Sequence, residues 1–169
     1  MSGPVHLAQR FIGSLSPRPL AAADHAWVAN TLGPGEWQLW ERMPLADRKH
    51  AAGVAREVDR RLDDATAAVL AAALLHDVGK IESGLGTLGR VAATILAAVF
   101  GRARAASWTR GWRGRVGTYL RHPEIGARLL EEHGADPLTA RWAAEHHRPA
   151  DSWTVPRAVA EVLHTADDD

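Results

Sequence analysis

An all-α fold is what this sequence predicts. Strand-like alternating runs joined by tight hairpin turns are absent, alanine is abundant, and apolar stretches end at Gly or Pro. In chain order, Pro4–Leu15 reads as a first helix, stopped by Pro17 and Pro19. Ala21–Leu32 reads as a second, closed by Gly33. Pro34–Met43 carries Trp37 and Trp40 at an i, i+3 spacing, so both can face one partner, and core packing is the expected use of the pair. Leu45–Leu62 is long and amphipathic. Ala65–Val78 is apolar nearly all round, as a central buried helix should be, with Gly79 as its expected stop. Leu85–Phe100 is another apolar helix. Pro123–His133 and Pro137–His147 each open with Pro, the former ending at Gly134 and the latter before Pro149. Val155–Ala166 is the last element.

Composition narrows the chemistry. The 169 residues suit a single domain, since compact domains commonly run to roughly 100–150 residues. There is no cysteine, which excludes disulfides, thiolate metal sites and cysteine nucleophiles. Any metal must be held by His, Asp or Glu, and nine His are present. Met1–Leu20 does not read as a secretory signal, because Gln9 and Arg10 interrupt its apolar stretch. The apolar stretch Val91–Phe100, with Thr94 inside it, is too short to span a bilayer, which takes about 20 residues. A cytoplasmic protein is expected.

The formal charge of zero hides an uneven distribution. Residues 1–82 hold nine basic and ten acidic side chains, and residues 124–169 hold four and ten. Residues 83–123 hold seven arginines and no acid.

The chemically informative residues are His and Asp. His76-Asp77 ends the most apolar helix, and an adjacent His and Asp are costly to bury without partners. A divalent metal suits both side chains, since imidazole and carboxylate are good ligands for iron, manganese, zinc or nickel. His50 lies mid-helix beside Ala51, Val54 and Val58. His122 opens a helix, His146-His147 end another, and Asp167 lies in the last turn of the final one. Neighbouring helical residues point about 100° apart, so His146 and His147 should not approach one ion alike. His6, His25, His133 and His164 match no such pattern and read as structural or solvated.

This ordered set resembles the HD-domain metal-dependent phosphohydrolases, in particular the HDIG-like branch that includes the HD-GYP phosphodiesterases. The family order of His, His-Asp, His, His-His and Asp is met by His50, His76 with Asp77, His122, His146 with His147, and Asp167. His76-Asp77-Val78-Gly79-Lys80 is similar to the family's His-Asp-Ile-Gly-Lys, and His122-Pro123-Glu124-Ile125-Gly126-Ala127 to its His-Pro-Glu-Ile-Gly-Ala. The resemblance covers residues 45–169, the expected HD domain, with 1–44 as an N-terminal helical extension and about 83–121 as an insertion.

The resemblance implies a helical bundle around two divalent transition-metal ions (iron or manganese, with zinc or nickel as alternatives). His50, His76, Asp77 and Asp167 would hold the first, with Asp77 bridging. His122 and His146 would serve the second, with His147 either a further ligand or a group that orients a water or touches phosphate; of the pair, His146 is the favoured ligand. Such a site activates a water for in-line attack on phosphorus, without a protein nucleophile. Asp77 and Lys80 are the expected catalytic residues, and Lys80 and Arg148 the expected contacts to substrate phosphate. The implied substrate is a phosphate ester or anhydride, a nucleotide or dinucleotide first. Three departures point away from cyclic di-GMP: Arg148-Pro149 replaces the usual Glu, the Gly-Tyr-Pro signature is absent, and Ala46 stands where three-metal members carry a carboxylate.

The alternative function is a non-catalytic HD-fold module that binds a nucleotide or a partner. The insertion, with its Trp and Arg, reads as an extra helix followed by a solvated basic loop. Beyond that it is a candidate lid for anionic substrates, a peripheral membrane contact through 85–115, or a nucleic-acid contact.

Overall fold

The structure is a computed structural model that describes residues 19–168. The Pro4–Leu15 helix, His6 and Asp169 lie outside the described residues. Among the described residues there are ten α-helices, two 3-10 helices and no strand. The helices are α1 (Ala22–Thr31), α2 (Pro34–Arg42), α3 (Leu45–Arg61), α4 (Ala67–Leu75), α5 (Thr87–Phe100), α6 (Arg102–Ala106), α7 (Gly111–Leu120), α8 (His122–Glu132), α9 (Pro137–Glu145) and α10 (Arg157–Asp168). The 3-10 helices are Val78–Ser83 and Ala150–Ser152.

α4 is the centre of the bundle. Thr66 caps its start by accepting a hydrogen bond from the Val69 amide, and every residue from Val69 to Leu75 is buried. Helices α3, α9, α10 and α1–α2 pack around it. α3 contributes Ala51, Val54, Ala55 and Val58; α10 contributes Ala160, Leu163 and Ala166. Val28, Leu39 and Trp40 join the same continuous core, so residues from the expected N-terminal extension pack with the HD bundle. Trp40 is fully buried, and Trp37 meets His25 edge-on with ring centroids 5.3 Å apart, which makes the pair packing groups.

Two glycines act differently from the sequence expectation. Gly33 does not close α1; it opens α2, its amide donating to the Glu36 carboxylate at 2.9 Å. Gly79 does not stop α4 either, because that helix ends at Leu75 and the chain tightens into the 3-10 turn. Gly79 is instead where this turn meets α8: a Cβ there would collide with the His122 carbonyl and lie 2.6 Å from the Gly126 amide. Gly134 does end α8 as expected, at φ 70°.

The insertion is also more ordered than a helix plus a loop. Residues 102–106 and 111–120 form α6 and α7, which with α5 bury Leu85, Ala93, Ala105, Val116 and Leu120 in a small core of their own. Arg90 ties this unit to α3 through a two-pronged pair with Asp47 at 2.6 and 2.8 Å. Arg115 ties it to the 3-10 turn by donating to the Ser83 carbonyl at 3.1 Å.

Replacing Gly79 by Ala should destabilise the protein by about 2–4 kcal/mol, because backbone must move on both sides of the contact. Thermal and urea unfolding check this. A melting temperature equal to wild type would show that the two elements do not meet there.

Candidate metal centre

The site forms where three helices end. His76 and His146 are the first residues beyond α4 and α9, and His122 begins α8 just after α7. At each, the chain leaves a carbonyl one turn back for the imidazole to use. The Nδ1–H of His76 donates to Ala73 O at 2.9 Å, that of His122 to Tyr119 O at 2.7 Å, and that of His146 to Ala143 O at 2.9 Å. Three identical anchors turn three Nε2 atoms toward one point.

That point is Asp77. Its Oδ1 lies 3.2 Å from His122 Nε2 and 3.6 Å from His146 Nε2. Its Oδ2 faces His76 Nε2 at 3.5 Å and is bound by the Lys80 ammonium. Asp167 Oδ1 is 2.8 Å from His50 Nε2 and 3.5 Å from His76 Nε2. His76, Asp77, His122 and His146 are all buried. The Nε2 atoms of the three histidines and Oδ1 of Asp77 are buried without a hydrogen-bond partner.

Four unsatisfied polar atoms in one buried place are costly unless something pairs with them. The donor set fits a divalent cation: imidazoles and a carboxylate, fixed from behind by backbone carbonyls. Two ligand groups are brought together, and they share Asp77. One is His50, His76 and Asp77, with Asp167 beside it; the other is Asp77, His122, His146 and His147.

His146 and His147 both enter the second group. α9 stops at Glu145, but His146 keeps helical backbone angles and its amide still donates to Trp142 O; both rings nevertheless reach the group, with their planes 39° apart. Their ring centroids are 4.0 Å apart, and His147 lies 5.1 Å from His122. The cluster is closed on the side of His76, His122 and His146 and more open at His50, Asp167 and His147. Arg148 is exposed on the turn that follows. His25 packs on Trp37, His133 bonds its own helix at Leu129 O, and His164 lies against Trp153, all outside the cluster.

Charge is balanced within the cluster. Burial raises the Asp77 carboxyl, but Lys80 and His76 outweigh it and hold it well below the carboxylate range. Burial also pulls Lys80 down, and Asp77 more than reverses this. Burial keeps His122 below its ordinary value, in the neutral form that ligates. At His76 burial opposes charge, and Asp77 and Asp167 prevail, lifting the ring to about 9.

One residue here has no motif to announce it. Glu145, buried at the end of α9, accepts from the Thr154 amide at 2.7 Å, the Thr154 hydroxyl at 2.6 Å and the Val155 amide at 3.3 Å. Burial raises its carboxyl, and these donors more than compensate, leaving it lowered. It clamps the 148–155 loop against the turn that carries His146 and His147. A charged residue on an otherwise apolar helix face was the available signal.

A model of the HD domain family matches residues 49–167, and the chain belongs to that family. HD domains are generally metal-dependent phosphohydrolases and bind divalent metals. No curated protein and no solved structure matches the chain.

A metal at His76 must displace its proton. Affinity should therefore rise with pH, by up to about tenfold per unit for this ring, and level off near pH 9. The same proton stabilises the metal-free fold below pH 6.5, and that contribution is lost as pH rises through about 9. Calorimetric titration with manganese in buffers of different ionisation enthalpy should show about one proton released near pH 7; no release contradicts the assignment. Glu145→Ala leaves two amides and a hydroxyl unpaired and should cost about 2–3 kcal/mol. Because the Glu145 carboxyl is lowered on folding, its contribution is present above pH 4.5 and lost as pH falls through its folded-state value. Unfolding of wild type and variant at neutral and acid pH checks both signs.

Proposed function

We propose that the chain is a two-metal phosphohydrolase of the HDIG-like type, cleaving a phosphate ester or anhydride of a nucleotide or dinucleotide. The observation that supports this is the double exposure of Asp77 to ligands. One carboxylate oxygen faces His76 and the other faces His122 and His146, each with an unpartnered nitrogen. A structural site for one ion needs only one of these groups; two groups hinged on a single carboxylate suit a pair of ions.

His50, His76, Asp77 and Asp167 would hold one ion, and Asp77, His122, His146 and His147 the other. Iron, manganese, zinc or nickel suits these donors. Bound there, such ions supply Lewis acidity toward phosphoryl oxygen and make a water acidic enough to react near neutral pH. The chain's own residues do the remaining work. The three carbonyl-anchored imidazoles keep the ligand geometry fixed, so little reorganisation is needed during the reaction. Their burial keeps bulk water from one side of the site. Lys80, three residues beyond Asp77 and in contact with it, offers a cation for a phosphate oxygen. Arg148 offers a second from the exposed turn.

Purified protein should bind two divalent ions and hydrolyse members of a phosphodiester and nucleotide panel supplied with manganese or iron. Asp77→Asn should lose both ions and lower kcat/KM by about a thousandfold or more. Lys80→Ala should keep the ions and lower kcat/KM by about a hundredfold. Activity and metal content unchanged in both variants would refute the site. Two ions bound with no turnover across the panel would favour the non-catalytic binding module.

A further inference from the structure

Helix α5 presents its apolar side outward. Leu88 is 86% exposed, Val91 47%, Ile95 57% and Val99 69%. These positions, i, i+3, i+7 and i+11, share one face, since about 100° separates successive residues. Ala93, on the opposite side, is fully buried in the insertion's own core. Phe100 at the end of α5 and Trp112 on α7 extend the exposed apolar surface, at 44% and 47%. An exposed patch of this kind marks a contact surface.

The charge of the same segment argues for the partner. Residues 83–123 carry seven arginines and no acid. Arg90 alone pairs with a described carboxylate, that of Asp47. Arg102, Arg104, Arg110, Arg113 and Arg115 are exposed. Arg102 and Arg115 donate to backbone carbonyls, and Arg113 lies over the Trp108 ring at 5.3 Å. None of these contacts neutralises a positive charge. A second copy of the chain on this face would set the arginines against their own equivalents, with no acid in the segment to offset them. Single-stranded nucleic acid would use exposed aromatic rings, whereas the centre of this face is aliphatic. An anionic lipid surface satisfies both features, taking the Leu, Val and Ile side chains into the acyl boundary and the arginines among its headgroups. At 14 residues, α5 is too short to cross a bilayer, and no single described helix is long and apolar enough to do so.

We propose that α5, with Phe100, Trp112 and the flanking arginines, is a docking surface for anionic membrane. The helix lies in the plane of the interface, and the charge of the arginines selects the lipid.

Flotation of the full chain with phosphatidylcholine vesicles, with and without phosphatidylglycerol, tests this independently of metal and activity. Binding is expected to the mixed vesicles, and to fall about tenfold or more at high salt or without phosphatidylglycerol. Ile95→Glu with Val99→Glu should abolish it, and Arg104→Glu with Arg110→Glu should weaken it about tenfold or more. All four side chains are exposed, so melting temperatures should stay near wild type. Leu88→Gln, at the most exposed position, gives a milder reading if a double variant unfolds. No flotation overturns the proposal, as does equal binding to neutral vesicles. A dimer by light scattering that Ile95→Glu with Val99→Glu dissolves, in protein that ignores vesicles, overturns it in favour of a second copy.

Discussion

Asp77 is a carboxylate buried at the junction of α4 and the 3-10 turn, and its charge must be met by something other than water. Lys80 meets one oxygen from within the same turn. The other oxygen faces only imidazole nitrogens, which are themselves turned inward by backbone carbonyls. Neither helix propensity nor hydrophobic burial explains such an arrangement, because both are better served by apolar residues there. The core around α4 holds it in place: Leu74 and Leu75 are fully buried immediately before His76, so the ligands stand on a rigid base.

The close backbone contact at Gly79 belongs to the same design. α8 can bring His122 to Asp77 only if its first turn approaches the 3-10 turn without a side chain between them, and Gly79 and Gly126 permit that approach. Asp167 reaches His50 and His76 because α10 packs along α3 through Ala160, Leu163 and Ala166. Glu145 does for the 148–155 loop what the carbonyls do for the rings. The insertion, with its own core, hangs on this frame through Asp47–Arg90 and Arg115, and turns toward solvent the apolar face that the frame does not need.

Much of this was legible in the sequence because the signals were local. The apolar run of α4, the Pro openings of α8 and α9, and the order of the His and Asp residues each lie within a few neighbours. Thr66 moved the start of α4 inward by capping it, and His76-Asp77 ended it before Gly79, since the bundle needed the tighter turn there. α7 was missed because Gly111, Gly114 and Gly117 lower helix propensity; the latter two are buried against neighbouring backbone, a tertiary reason no local pattern carries. That both His146 and His147 reach the second group was implied by the resemblance and not by helical spacing, which sets neighbouring side chains about 100° apart.

The central claim is that Asp77 joins two metal-binding groups. Anomalous diffraction from crystals of the full chain grown with manganese tests it most directly. Two peaks should flank the Asp77 carboxylate, one bounded by His50, His76 and Asp167 and the other by His122, His146 and His147. A single peak away from Asp77, or ions bound only at surface carboxylates, would contradict the account.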